Sequence, residues 1–325
     1  MPEFGNFETL TPEVIFAAAE TAFACRFSGV LMPLPSYINR VYEMESANRE
    51  RYIFKFYRPG RWSRPALLEE HLFTLEAHEA EIPVVPPLRL SNGSTLGTAE
   101  DGTFFAAFPK RWGRGLDPDS EGPVWRRMGS LIARLHTVGA TRKARHRIKL
   151  DPRGNTLSEV AHLLSSGVVS ERLQPQLASV LKRLLRVLVE RFDGSGAIRL
   201  HGDCHKGNIL ERPDEGLMLI DFDDMLTGPP VQDLWLMLPG PAESCPDELA
   251  ELLAGYESLR DFDRGSLRQI ELLRAMRMIY FLDWCAKQRG DWNFQQRWPD
   301  WGTDPFWRVE INALEAQYQT IMEEN

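Results

Sequence analysis

Between Ile198 and Asp223 the chain runs through a short apolar strand, the polar stretch His201-Gly202-Asp203-Cys204-His205-Lys206-Gly207-Asn208, a second apolar strand, and then Asp221-Phe222-Asp223. An isolated HxD or DxD marks little more than a turn closed by side-chain hydrogen bonds. Here an Asp, an amide five residues later and another Asp after a hairpin occur together. Moving a phosphoryl group from ATP to a hydroxyl needs that set: a carboxylate at the attacking oxygen, and oxygen ligands that hold Mg2+ against the β- and γ-phosphates. The order and spacing match the kinase arrangement of catalytic-loop Asp, Asn at plus five and metal-binding Asp after the next strand.

The elements that must carry these groups are legible from periodicity. Thr11 to Ala24 reads as a helix, with Thr11 as N-cap, Pro12 in the first position and Glu13 in the first turn. Strands follow at Val30–Leu34, Ile38–Met44 and Tyr52–Tyr57, and alternation in the third puts Lys55 on one face with Ile53 and Tyr57. A helix is predicted from about Pro65 to Ala80 with Leu68, Leu72 and Leu75 at helical spacing, ended by Pro83, Pro86 and Pro87. Leu88–Leu90 and Thr103–Phe108 complete an antiparallel sheet of about five strands. Pro109 to Gly115 reads as an extended connector. Beyond it the pattern turns helical over Trp125–Val138, Leu173–Phe192, Pro246–Leu259 and Leu267–Gln288, with short strands at Ala197–Leu200 and Leu217–Ile220 bracketing the polar motif. The expected architecture is α+β and bilobal: a small antiparallel β lobe with one helix over residues 1–108, a connector over 109–115, and a larger, mainly helical lobe over 116–325.

A chain of 325 residues with 43% hydrophobic content can bury a core for either one large domain or two lobes sharing a cleft, and a monomer is expected. Its net charge of −8 opposes general nucleic-acid binding, which rests on clustered Lys and Arg. The one basic stretch, Arg142 to Lys149, reads as a solvated connector, with a docking patch for an acidic partner as the alternative. Neither a leader-like N-terminus nor a run of roughly 18 apolar residues is present, so no membrane span is expected. The widely spaced Cys25, Cys204, Cys245 and Cys285 form no CxxC pair. They suit a reduced, cytoplasmic setting, with Cys204 as a packing residue.

The run H-G-D-x-H-x-G-N-I-L, followed by I-D-F-D-D, resembles the aminoglycoside/choline-kinase branch of the protein-kinase-like phosphotransferases, and the resemblance extends over almost the whole chain. It implies a protein-kinase-like fold using ATP and Mg2+. Asp203 would be the catalytic base, Asn208 a Mg2+ ligand and Asp221 the main Mg2+ ligand, with His201 and Asp233 bracing the loop. Lys55 would meet the α- and β-phosphates and pair with a Glu of the following helix; the resemblance favours Glu70, while the sequence alone leaves Glu69 open. The turn holding Ser36 and Asn39 would contact the nucleotide, and adenine would lie against the backbone of Pro109 to Arg111.

Five segments, Ser36 to Tyr42, Lys55 to Pro59, Leu68 to His71, Arg199 to His205 and Pro230 to Trp235, are more similar still to a bacterial stress-response branch described as phosphorylating Ser and Thr of proteins. A protein acceptor is therefore expected. The alternatives are a small-molecule kinase of choline, homoserine or aminoglycoside type and an inactive nucleotide-binding scaffold.

Two departures from protein kinases stand out. No G-x-G-x-x-G joins the first two strands, and Asp223 stands where the D-F-G glycine would be, as a further carboxylate near the metal or as a cap of the next turn. Gly228-Pro229-Pro230 follows Asp221 almost at once, leaving no long activation loop. The tryptophans at 284, 292, 298, 301 and 307 are expected mainly as core, with an acceptor wall as the minority reading.

Overall fold

The computed structural model describes residues 4–36, 38–116, 123–212 and 215–323. Helix α1 (Pro12–Phe23) starts as its sequence dictates, the Thr11 hydroxyl accepting from the Val14 N–H. It packs on a five-stranded antiparallel sheet in the order β1-β2-β3-β5-β4, formed by β1 (Phe27–Leu34), β2 (Arg40–Ser46), β3 (Arg51–Phe56), β4 (Gly97–Thr98) and β5 (Phe104–Pro109). The two faces of β3 part as alternation requires. Phe54 and Phe56 enter the core beneath α1, whereas Lys55 and Tyr57 point the other way, the ammonium lying 5.3 Å from the Tyr57 ring centre.

Two expectations for this lobe need correction. Leu88–Leu90 is not a strand. Pro86 and Pro87 have no N–H to donate, Leu88 makes one bond to Ala107, and the Leu90 N–H turns back to Ser94, so the sheet edge passes to Gly97–Thr98. Helix α2 (Arg64–Glu79), capped by Ser63, buries Leu67, Glu70, Phe73 and Ala77, and leaves Leu68 and Leu72 exposed. Its inner face is thus chosen by what fills the interior, Phe73 and Ala77 joining the core of the other lobe.

Two main cores fill the large lobe, with a smaller cluster of Val231, Trp235, Ile270 and Leu273 beside them. One gathers around α3 (Pro123–Gly139), α7 (Pro246–Glu257) and the hairpin β8 (Ile209–Arg212) and β9 (Gly216–Leu219). The other is made by α4 (Leu157–Ser165), α5 (Gln174–Arg191), α8 (Ile270–Gln288) and α10 (Asp304–Glu323). Short strands β6 (Arg114–Gly115), β7 (Ile198–Leu200) and β10 (Leu226–Gly228) edge the cleft, with β6 pairing β8 and β10 pairing β7. Two short helices, α6 (Val231–Trp235) and α9 (Trp292–Arg297), complete the lobe. Helices α4, α6, α9 and α10 are not anticipated by the sequence pattern, and the first three positions expected for α8, Leu267 to Gln269, belong to a 3-10 turn at Arg264–Gln269 instead.

The tryptophans mostly fill this lobe. Trp307 is fully buried and donates to the Val168 carbonyl at 2.7 Å, whereas Trp292 is 70% exposed. The basic stretch is largely committed internally. Arg142 pairs with Glu76, the Arg145 and His146 N–H groups donate to Glu69, and Arg147 is buried over the Trp62 ring. Among the described residues, no helix is long and apolar enough to cross a membrane.

The α3–α7 crossing is tight enough to demand glycine. A Cβ on Gly129 would lie 1.9 Å from the Leu252 carbonyl oxygen and 2.8 Å from the Tyr256 nitrogen, both rigid backbone. Gly129→Ala should therefore force the helices apart and destabilise the protein by at least ~2 kcal/mol, read as a melting temperature several degrees lower in calorimetry. An unchanged melting temperature would show that the crossing relaxes freely.

Candidate active site

The stretch from His201 to Asn208 is a loop, and what holds it is a buried carboxylate from another element. Asp233, in α6 and fully buried, accepts from the His201 N–H at 2.8 Å through Oδ2 and from the Gly202 N–H at 2.9 Å through Oδ1. Its Oδ2 also faces His136 Nε2 of α3 at 3.0 Å, and His136 Nδ1 in turn meets the Tyr256 hydroxyl at 3.0 Å. The His201 ring spans the loop to the Ile220 carbonyl at 2.9 Å. Gly202 adopts φ +85°, and a Cβ there would meet the Asp224 carbonyl oxygen at 2.0 Å, so the loop closes only with glycine.

Asp203 and Asn208 are brought together by this loop. The Asn208 side-chain N–H donates to the Asp203 carbonyl at 2.9 Å and reaches its Oδ2 at 3.3 Å, so the amide oxygen is the end left for a cation. His205 Nε2 lies 3.4 Å from the same Oδ2, and Arg277 of α8 donates to Oδ1. Burial raises the Asp203 pKa, but the His205 hydrogen bond and the charges of Arg277, His205 and His201 outweigh it and hold the carboxyl well below the usual range. Asp203 is thus ionised, oriented by its neighbours rather than strongly basic.

Asp221 follows β9 in the left-handed region, φ 61°, with a half-exposed side chain turned to the cleft. Lys55 crosses from the sheet to it, Nζ to Oδ1 at 2.7 Å, and lies 3.5 Å from Asp223 Oδ1. Burial would strip the Lys55 proton, but Asp221, Asp223 and Glu70 reverse that and push its pKa upward. Asp223 shares the Lys55 ammonium with Asp221, and its carboxylate accepts from side chains of the small lobe rather than from the N–H groups of the next turn. Its carboxylate is 3% exposed and is held by Arg61 and by Asn39 Nδ2 at 3.1 Å.

The partner expected for Lys55 is displaced. Glu69 is half-buried and caps the backbone at 145–146, whereas Glu70 is buried but makes its contacts with Arg147, at 3.7 Å, and the Tyr57 hydroxyl. Burial lifts Glu70 to about 7 despite the Lys55 charge. Asn39 spends both ends of its amide inside the protein, on Asp223 and on the Arg58 N–H at 3.0 Å. Ser36 lies in the β1–β2 turn, half-buried, Pro109 ends β5, and Arg111 is exposed just beyond it. Arg61, Arg147, His136, Tyr280 and Arg277 carry no local signal in the sequence, because each meets its partner only in the fold.

Among the described residues no three His, Cys, Asp or Glu side chains form a self-sufficient metal site. Asn208 and Asp221 supply two oxygens, the kind of donor set with which Mg2+ completes its shell from phosphates and water. A carboxylate–amide pair on a braced loop, a second carboxylate after a hairpin and a lysine reaching down from a facing sheet are the arrangement of protein-kinase-like phosphotransferases. The model of the Phosphotransferase enzyme family matches residues 30–270, and the chain belongs to that family.

Its relatives are kinases, as this protein is. "Stress response kinase A" of Salmonella choleraesuis (strain SC-B67) is 36% identical over 329 aligned positions, covering 98% of this chain and 95% of that one. The relative in Salmonella typhimurium (strain LT2), "Serine/threonine protein kinase RdoA", matches equally, and "Stress response kinase A" of Escherichia coli (strain K12) is 34% identical over 325 positions with the same coverage. Among solved structures, the amicoumacin kinase hAmiN superposes with a TM-score of 0.72 at 17% identity, covering 96% of this chain and 93% of that one. A microcompartment-associated aminopropanol kinase gives 0.65 at 18%, covering 94% and 95%. These last two share the fold.

The bracing role of Asp233 has a measurable consequence. Asp233→Ala leaves two buried loop N–H groups without their acceptor, so stability should fall by about 3 kcal/mol or more and turnover should fall at least about 100-fold. Calorimetry and steady-state kinetics on the purified variant test this. Full turnover in a folded variant would remove the loop from dependence on Asp233.

Proposed function

We propose that this protein transfers the γ-phosphoryl group of ATP to Ser or Thr hydroxyls of a protein. The observation that carries the reading is the convergence of Asp203, Asn208, Asp221 and Lys55 at one cleft, in a chain 36% identical over nearly its full length to a relative named a serine/threonine protein kinase. The lobe of residues 1–108 would hold the nucleotide, and residues 116–325 the catalytic loop and acceptor.

The acceptor oxygen attacks the γ-phosphorus, a new O–P bond forms, and the bond from the γ-phosphorus to the β–γ bridging oxygen breaks with its electrons leaving on ADP. The hydroxyl proton passes to Asp203. Because the transition state is loose, Asp203 works mainly by orienting the hydroxyl, which suits its depressed pKa. Lys55 takes the α- and β-phosphates, to which it is already aimed by its ion pair with Asp221. Asn208 and Asp221 would hold the Mg2+ ion, which when bound neutralises charge on the β- and γ-phosphates. Ser36 and the backbone of Pro109 to Arg111 contact phosphate oxygens and adenine. Asn39 we assign to bracing Asp223, since its amide is spent there.

Asp203→Asn should retain MgATP binding and lose transfer by ~10^3-fold, since nucleotide affinity rests on other residues. Lys55→Ala should instead raise the KM for MgATP while the fold survives. Incubation with labelled ATP, Mg2+ and either generic protein or a panel of small alcohols measures both and identifies the acceptor. Labelling of choline or an aminoglycoside but of no protein would refute the protein acceptor and leave the catalytic assignment standing. Full activity of Asp203→Asn on any acceptor would refute the mechanism.

A further inference from the structure

Asp203 does not wait with a free oxygen for its acceptor. Oδ2 faces Asn208 and His205 at 3.3 and 3.4 Å, and Oδ1 carries the Arg277 guanidinium. A hydroxyl that reaches Oδ1 must crowd in beside that guanidinium or take its place. Arg277 rises from the middle of α8 with its side chain about a third exposed, and among the described residues Asp203 is its ion-pair partner. A guanidinium has five donors in a planar fork that fits carboxylate and phosphate.

The surroundings decide what could draw it away. The cavity between the catalytic loop and α8 is lined by Trp62, Leu150, Met276 and Tyr280, with Asp224 and Arg277 as its ionisable pair of walls. Asp224 is paired through Oδ1 alone, which takes both Arg61 Nη2 at 2.6 Å and the Tyr280 hydroxyl at 2.8 Å, and the Arg61 side chain that offsets its charge is buried. The Asp224 charge is thus offset by a fixed, buried arginine, whereas the part-exposed Arg277 is the lining charge able to move, and it is positive. A cationic acceptor would face that guanidinium across an apolar, weakly screened space, whereas an anionic one would pair with it.

We propose that Arg277 is an acceptor-specificity residue: it binds a carboxylate carried beside the acceptor hydroxyl and, in moving to it, uncovers Asp203 Oδ1. The acceptor is then a Ser or Thr flanked by Asp or Glu. This rests on the protein-acceptor reading above, but the charge of the acceptor is a separate claim.

The test uses the full chain, MgATP and three peptides that hold one Ser in the same frame, flanked by Glu, Gln or Lys, together with choline, kanamycin and glycerol 3-phosphate. The Glu peptide should exceed the Gln peptide in kcat/KM by about tenfold or more, the scale of one charge-assisted contact, with the Lys peptide poorest. Arg277→Gln should abolish that preference chiefly through the peptide KM, and Arg277→Lys should keep part of it. In both, the KM for MgATP should move less than about twofold, a split that general loss of structure would not produce. Equal use of the three peptides, or an intact preference in Arg277→Gln, overturns the inference and leaves the protein-kinase reading in place. Use of glycerol 3-phosphate but of no peptide overturns the protein acceptor and supports the inference. Use of choline or kanamycin alone overturns both.

Discussion

The structure turns on one carboxylate that cannot reach water. Asp223 is buried in the large lobe, and the side chains that pair it, Asn39, Lys55 and Arg61, all belong to the small one. An unpaired buried charge costs several kcal/mol, far more than a surface ion pair contributes, so these three groups must converge wherever Asp223 lies. Nevertheless burial does not neutralise it, because Arg61, Lys55 and Arg147 hold its pKa well below the carboxylate range. The pairing sets where the sheet stands over the catalytic loop, and with it the distance from Lys55 to Asp221.

The same accounting explains the backbone around the site. Asp221 takes a left-handed conformation that costs a non-glycine residue about 1–2 kcal/mol, and Gly202 bends where any side chain would strike Asp224. Such a loop persists only if neighbouring bonds over-determine it. Asp233 supplies two of them, His201 a third through Ile220, and Asn208 ties the far end back to Asp203. The Asp203 carboxylate is therefore placed by Asp233, His201 and Asn208 together.

Charges at the cleft are distributed unequally. Asp221, Asp223 and Glu70 gather around one lysine, and burial lifts the Glu70 pKa to about 7. Around the cavity beside α8, arginines sit on the acids: Arg61 on Asp224, Arg277 on Asp203. The same machinery can phosphorylate any hydroxyl, so in the function proposed above selection among acceptors falls to these surrounding charges.

The chemistry was legible in the sequence because its parts are local. Asp203, Asn208 and Asp221 lie on one hairpin, and the period of two in β3 puts Lys55 on the cleft face. Helix caps and breaks were legible for the same reason, Thr11 and Pro12 acting within a single turn. What periodicity does not encode is which charge meets which. Lys55 is 166 residues from Asp221 and Arg277 is 74 from Asp203, and neither pair leaves a mark on its own helix or strand. Helix α2 offered two faces, and packing chose the one with Phe73 and Glu70 over the leucines at 68 and 72. The sequence by itself determined most of the elements and the placing of Asp203, Asn208 and Asp221 on one hairpin, since these follow from neighbours in the chain; the tertiary structure alone decided the sheet edge and the partners of the buried charges, because desolvation makes each of them take whatever counter-charge the packed interior brings within reach.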